Sequence, residues 1–180
     1  MVGMDTAQHH RFMHAFCVNP STRFDQQQTD EQVILLLRAH PITQISWVFN
    51  CVLLLIVLGV ANVFLGTVLN QSQRLFVLLF GIAFIFSYGL LNFLYWFFNV
   101  GLITNKRILD IDFSGVTYKE ITETQLEKVE DITSKSSGYI GSLFNFGSIY
   151  IQTAGQETNV EFINIPDPSE AVRIINSVVP

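Results

Sequence analysis

Two long stretches without a charged side chain dominate the hydrophobic pattern of this chain. From Pro41 to Gln73 no Asp, Glu, Lys or Arg occurs, and after Arg74 none recurs until Lys106. Each stretch exceeds the roughly 20 apolar residues needed to cross a ~30 Å hydrocarbon core. The pattern therefore predicts helices near 45–69 and 75–97. The polar residues 70–74 between them are too few to do more than turn the chain back, so the two helices form an antiparallel hairpin over 41–97.

Before the first stretch the pattern is weaker. Residues 1–28 show no sustained period and read as a flexible arm. Its histidines His9, His10 and His14 have no carboxylate or cysteine at ligand spacing, so no metal site is expected there. Thr29 followed by Gln32 fits a capping box. Asp30 and Glu31 suit a first helical turn, Arg38 and His40 suit a last one, and Val33–Leu37 supplies an apolar body. A short juxtamembrane helix over 29–40 follows, too short to span, with Pro41 breaking it.

After residue 97 the pattern changes to short apolar or β-branched runs separated by turn residues, which is the signal of several strands. Leu109, Ile111 and Phe113 alternate with Asp110 and Asp112, so one face of this strand can be buried and the other solvated. Leu126, Val129 and Ile132 are spaced by three, which fits one helical face or a bulged strand equally, and the strand is the reading taken. Asp167-Pro168-Ser169-Glu170 offers an N-cap, a proline at the first helical position and a glutamate at the third, predicting a closing helix with Ala171, Val172, Ile175 and Val179 on one face. The segment 137–147 reads as a loop, yet it holds Tyr139, Leu143, Phe144 and Phe146, more large apolar side chains than a loop needs.

Composition strengthens the membrane reading. A soluble domain has about a quarter of its residues charged; this chain of 180 residues has 14%, with 49% hydrophobic residues, 16 Phe and a mean hydropathy of +0.38. Net charge is about −1 over residues 1–40, +1 over 41–100 and −5 over 101–180. Arg74 is the one cation in the hairpin loop, whereas Arg23, Arg38, Lys106, Arg107 and Lys119 flank the two stretches, which places both termini in the cytoplasm. Trp47, Tyr95 and Trp96 then lie at one interface. Cys17 and Cys51 make neither a disulfide framework nor a zinc quartet.

The word Glu31-Gln-Val-Ile-Leu-Leu-Leu-Arg-Ala-His-Pro41 resembles the segment before the membrane pair in membrane-anchored bacterial pleckstrin-homology (PH) proteins. The Ile103-Thr-Asn-Lys-Arg-Ile108 turn, the 126–132 and Gly147–Ile151 strands, and the Phe162-Ile-Asn-Ile-Pro166 approach to the last helix resemble the domain of that family. The resemblance implies an α+β membrane protein: a two-helix transmembrane hairpin followed, over 98–180, by a PH-like antiparallel barrel or sandwich of about seven strands capped by one helix.

No nucleophile with a base, metal cluster, P-loop or dinucleotide fingerprint is evident, so neither an enzyme nor a cofactor is expected. An acidic tail repels phosphate, which excludes nucleic acid. The expected function is a membrane-tethered, non-enzymatic binding or scaffold module at the cytoplasmic face of a bacterial-type membrane. Its partners would be the bilayer and either another membrane protein or a second copy. One alternative is recognition of anionic headgroups through Lys106 and Arg107; another is an accessory subunit of a transport or secretion assembly. Tyr139, Leu143, Phe144 and Phe146 are the candidate partner or membrane contacts.

Overall fold

A computed structural model describes residues 15–20, 23–24, 27–113, 118–154 and 159–179. Strands Phe16–Val18 (β1) and Val33–Leu37 (β2) precede two apolar helices, Ile45–Phe64 (α1) and Gln71–Phe98 (α2). Then come Val100–Thr104 (β3), Arg107–Phe113 (β4), Lys119–Gln125 (β5), Val129–Ser136 (β6), the short helix Gly138–Phe144 (α3), Phe146–Thr153 (β7), Val160–Pro166 (β8) and Pro168–Val178 (α4). The chain divides into a helical unit, residues 41–96, and a β unit assembled from the residues on both sides of it.

The β unit has two antiparallel sheets, β1-β2-β3-β4-β5 and β6-β7-β8. They do not close into a barrel, because β5 ends one sheet and β6 ends the other. Leu35, Leu37, Ile103 and Ile108 of the first sheet face Ile149, Ile151, Val160, Phe162 and Ile165 of the second, and Ala171 and Ile175 of α4 complete this core. Each fully buried aliphatic side chain contributes about 1.5–3 kcal/mol. A smaller cluster of Cys17, Val33, Leu36, Leu102 and Leu109 covers the other face of the first sheet. The final helix starts as its sequence predicts: Asp167 is the N-cap, its carboxylate accepting from the Glu170 N–H, with proline at the start.

The segment expected as a juxtamembrane helix over 29–40 instead contains strand β2. Its five residues pair with β1 on one side and β3 on the other, and a strand covered on both faces shows a continuous apolar run rather than alternation. Such a run is indistinguishable by period from one turn of buried helix. Leu35, Leu36 and Leu37 register with Ile103, Leu102 and Gly101, so the helical unit is an insertion in the β2–β3 connection. Within the arm expected over 1–28, residues 16–18 form β1, while residues 1–14, with all three early histidines, lie outside the described residues. Two further expectations change locally. The segment 126–132 opens as a 3-10 turn, Leu126–Lys128, before β6, and the loop 137–147 contains α3, which ends at Asn145 in the left-handed region (φ 52°).

In the helical unit, α2 begins earlier than expected, at Gln71, because Asn70 and Gln73 cap each other: the Gln73 N–H donates to Asn70 Oδ1 at 3.0 Å and the Asn70 N–H to Gln73 Oε1 at 3.1 Å. Arg74 Nη2 donates to Asn62 Oδ1 at 3.1 Å, and Asn62 Nδ2 returns a bond to the Arg74 carbonyl at 3.2 Å. Gly81 lets α2 approach α1, since a Cβ there would meet Leu58, whereas one at Gly89 would make only ordinary contact with Trp47 and Cys51. Gly59 faces open space. Both helices are long and apolar enough to cross a membrane, and almost none of the residues in their apolar stretches is fully buried within the protein.

In the β unit, Gly101 of β3 marks a close approach of the two sheets, because the Phe162 ring of β8 occupies the space a Cβ would need. Gly101→Ala should lower stability by about 1–3 kcal/mol through overpacking. Adding Phe162→Leu should recover part of that loss. Denaturation of the detergent-solubilised chain, followed by the β-sheet circular dichroism signal, checks both.

Candidate functional site

Lys106 lies in the β3–β4 turn and Arg107 opens β4, and the structure gives them separate roles. Arg107 is buried. Its Nε and Nη2 donate to Glu31 Oε1 and Oε2, both at 2.9 Å, and its Nη1 donates to Glu123 Oε1 at 2.8 Å. The Gln28 N–H donates to Glu31 Oε2 at 3.0 Å, and the Thr104 hydroxyl donates to Glu31 Oε1 at 2.9 Å. Burial pushes the Glu31 carboxyl up, but the hydrogen bonds from Arg107, Gln28 and Thr104 outweigh it and hold the group below its ordinary value. The same bonds to Glu31, then those to Glu123, raise Arg107. A guanidinium committed to two carboxylates is a structural clamp rather than a receptor for a headgroup.

Lys106 is exposed and donates to Gln28 Oε1 at 3.1 Å. It lies at the end of β3 opposite Val100, where the chain arrives from the helical unit. At ~3.3 Å per residue, that is roughly 15 Å along the strand. The sequence did not signal the clamp, because Glu31 and Arg107 are far apart along the chain and meet only through the β2–β3 pairing.

A cavity of about 250 Å³ opens between the sheets at the other end of β3, lined by Leu37, Arg38, Gly101, Phe162 and the acids Asp110, Asp112 and Glu161. The alternation along β4 is as read, but the more fully buried side differs from expectation. Ile108 enters the main core, and Asp110 and Asp112 follow it on that face, while Leu109 and Ile111 pack in the smaller cluster. Burial, then repulsion from Asp112 and Glu120, pushes the Asp110 carboxyl up to about 7. Burial, then Glu120, raises Asp112.

The same end of the β unit carries α3. Tyr139, Leu143 and Phe144 are exposed, as is Ile140 beside them, whereas Phe146 is buried and belongs to β7. The expected set therefore divides. Phe146 stacks on His40, the last residue before the helical unit, with ring centroids 5.5 Å apart. Burial holds the His40 imidazole below its ordinary value. Asn164 ties this region together from the left-handed region (φ 55°) that asparagine tolerates. Its carbonyl accepts the His40 N–H at 2.6 Å, its Oδ1 accepts the Ser137 hydroxyl at 2.8 Å, and its N–H donates to Ser148 Oγ at 3.2 Å.

Strands β5 and β6 each leave one edge unpaired in their sheets, and most of their side chains are exposed, including Glu120, Glu123, Glu130 and Asp131. Among the described residues no group of three or more His, Cys, Asp or Glu side chains is placed to hold a metal ion.

A family model described as "Bacterial PH domain" matches residues 46–179. Among solved structures, the crystal structure of a DUF1696 family protein with a pleckstrin-homology domain from Shewanella loihica PV-4 is similar at 15% sequence identity. The match covers 45% of this chain and 70% of that one, with a TM-score of 0.37. No curated protein matches significantly.

Removing Arg107 leaves Glu31 buried and unpaired, so Arg107→Ala should cost about 3–5 kcal/mol. Lys106→Ala should stay within ~0.5 kcal/mol; equal losses in denaturation midpoints would contradict the division of roles. Asp110 gives a pH signature. Because its folded value lies above the ordinary 3.8, the folded state binds the extra proton, and stability falls as pH rises from about 4 to about 7. Asp110→Asn should flatten that slope and be more stable than the wild type at pH 8, as thermal melts across pH would reveal. Glu31 acts with the opposite sign and at lower pH: its contribution is present above its ordinary value of 4.5 and is lost as pH falls through its depressed folded value.

Proposed function

Because the chain belongs to the bacterial PH domain family, we propose that it is a membrane-tethered PH-like module. The α1–α2 hairpin holds its β unit at the cytoplasmic face of a bacterial-type membrane, where it binds a protein partner and performs no catalysis. The observation that carries this reading is the uncovered apolar surface of the inserted helices. Val63, Phe64, Phe76, Phe80 and Phe86 are all exposed, and soluble monomers rarely leave contiguous apolar patches of more than a few hundred Å² open to water. Lipid satisfies that surface.

The insertion supports the topology. Since β2 and β3 pair in one β unit, the two ends of the hairpin return to the same side in this reading, and the excess of Lys and Arg outside the hairpin loop supports a cytoplasmic location for that side. PH domains are typically non-catalytic. The unpaired β5 and β6 edges, flanked by acidic side chains, suit an extended basic segment of another membrane protein or of a second copy. An accessory subunit of a transport or secretion assembly would use the same edges. Headgroup recognition through Lys106 and Arg107 ranks lower, since the Arg107 donors are held by Glu31 and Glu123.

Membranes carrying the full chain should retain it in the pellet after alkaline carbonate extraction. The Leu54→Arg, Phe84→Arg double variant, with a charge near the middle of each helix costing ~2.5–3.5 kcal/mol, should be released. Wild-type protein in the supernatant would remove the tether from the proposal.

A further inference from the structure

Four of the seven residues of α3 are large, apolar and open: Tyr139 is 97% exposed, Ile140 62%, Leu143 77% and Phe144 48%. They alternate around a buried Gly141, where any Cβ would strike the Phe146 carbonyl and the Ser137 side chain, so the helix is pressed onto the β unit along that line and offers the rest of its surface outward. No charged residue lies between Lys135 and Glu157, although the chain from residue 101 onward carries a net charge of about −5.

The position of α3 is fixed by bonds within the β unit. Ser137, which precedes the helix, and His40, which precedes the helical unit, both bond to Asn164. Phe146, two residues beyond the helix, stacks on His40. Leu37 registers with Gly101, so both strands that continue into the helical unit leave from this end. The uncharged apolar helix thus sits at the end of the β unit where the chain passes into the bilayer-length helices, and the Lys106 turn sits at the opposite end.

We propose that α3 is an interfacial docking element. Tyr139, Ile140, Leu143 and Phe144 enter the boundary between headgroups and acyl chains, and the occupant of this surface is the bilayer itself. The inference rests on the membrane-tethered reading above. Three observations select lipid over a protein partner. The patch holds no charged residue of its own, the nearest along the chain being Lys135 and Glu157. It contains an aromatic hydroxyl suited to the headgroup level. The chain's own connectivity brings this end of the β unit to the membrane boundary. The acidic cavity at the same end, with Asp110, Asp112 and Glu161, and the acids of β5 and β6 would be repelled by an anionic leaflet, which leaves the uncharged helix as the part of this end able to approach. Docking would hold the β unit at a fixed height and leave the β5 and β6 edges open.

The test uses the full chain reconstituted in vesicles of phosphatidylcholine and phosphatidylglycerol, in a Cys17→Ala, Cys51→Ala background. A nitroxide spin label is placed in turn at Leu143→Cys, at Glu127→Cys beside the Lys106 turn, and at Val57→Cys within α1. Collision rates with oxygen, which partitions into lipid, and with a water-soluble nickel chelate report depth. Expected are lipid-type collisions at 57 and 143 and water-type collisions at 127. Adding Ile140→Asp should shift the 143 label toward the nickel chelate. Water-type collisions at 143 with lipid-type collisions at 57 would overturn the docking and leave the tether standing. Low collision rates with both reagents at 143 would overturn it in favour of a protein contact, and water-type collisions at 57 would overturn the tether and the docking together.

Discussion

The backbone pairing of β2 with β3 is the constraint on which the rest of the structure depends. It joins residues on either side of the whole helical insertion, and without it β1 has no sheet to extend and Glu31 no route to Arg107. Closing so long a connection costs less than its length suggests, because loop-closure entropy grows only with the logarithm of length. An antiparallel helical pair also brings its own ends back together. The insertion is thus compatible with a small β unit because the inserted element is itself a hairpin.

Pairing also demands a register, and the sequence of β2 specifies one poorly. Val-Ile-Leu-Leu-Leu is apolar on both faces, so a slip by one residue would exchange the faces without exposing an obvious error. Polar contacts at the two ends of β2 supply what its pattern lacks. At one end Asn105 Oδ1 accepts the Gln32 N–H at 3.0 Å, the Asn105 N–H donates to the Gln32 carbonyl at 3.1 Å, and Glu31 meets Arg107 in a two-pronged pair. At the other end the Arg38 guanidinium lies 4.8 Å from the centre of the Phe97 ring, and the His40 N–H reaches Asn164. A slipped strand would leave the buried Glu31 carboxylate without its cation, a far larger loss than any exchange of leucines.

This division explains what was legible in the sequence. The two apolar helices were evident because lipid-length, charge-free runs have few other readings, and α4 because Asp167 and Pro168 are local signals that need no tertiary partner. Strand β2 was not evident, because Thr29, Asp30 and Gln32 imitate a helix start and only β1 and β3 turn Val33–Leu37 into a strand. The role of Arg107 was hidden for the same reason: a basic residue in a turn near a membrane segment looks available until its distant carboxylate is found. Along β4 the alternation was correct, yet the aspartates lie on the main-core face, because that face opens into the cavity beyond Ile108. Tyr139, Leu143 and Phe144 stood out as an excess of apolar residues, while Phe146 belonged to β7 and its neighbours Ile149 and Ile151.

The β unit therefore has two chemically different ends. The Lys106 end is closed by the Glu31–Arg107–Glu123 pairing, whose groups are charged and mutually satisfied. The His40 end holds an acidic cavity, an imidazole whose pKa burial lowers and a helix without charge. A partly buried carboxylate such as Asp110, held up to about 7 by burial and by its acidic neighbours, is tolerated where it can take a proton instead of finding a cation. The Glu31–Arg107–Glu123 pairing holds the register of the strands at its end, and at the other end α3 offers a surface without charge. That asymmetry follows from placing the helical insertion at one end of a single strand pair: the polar clamp that fixes the register sits at the other end of that pair.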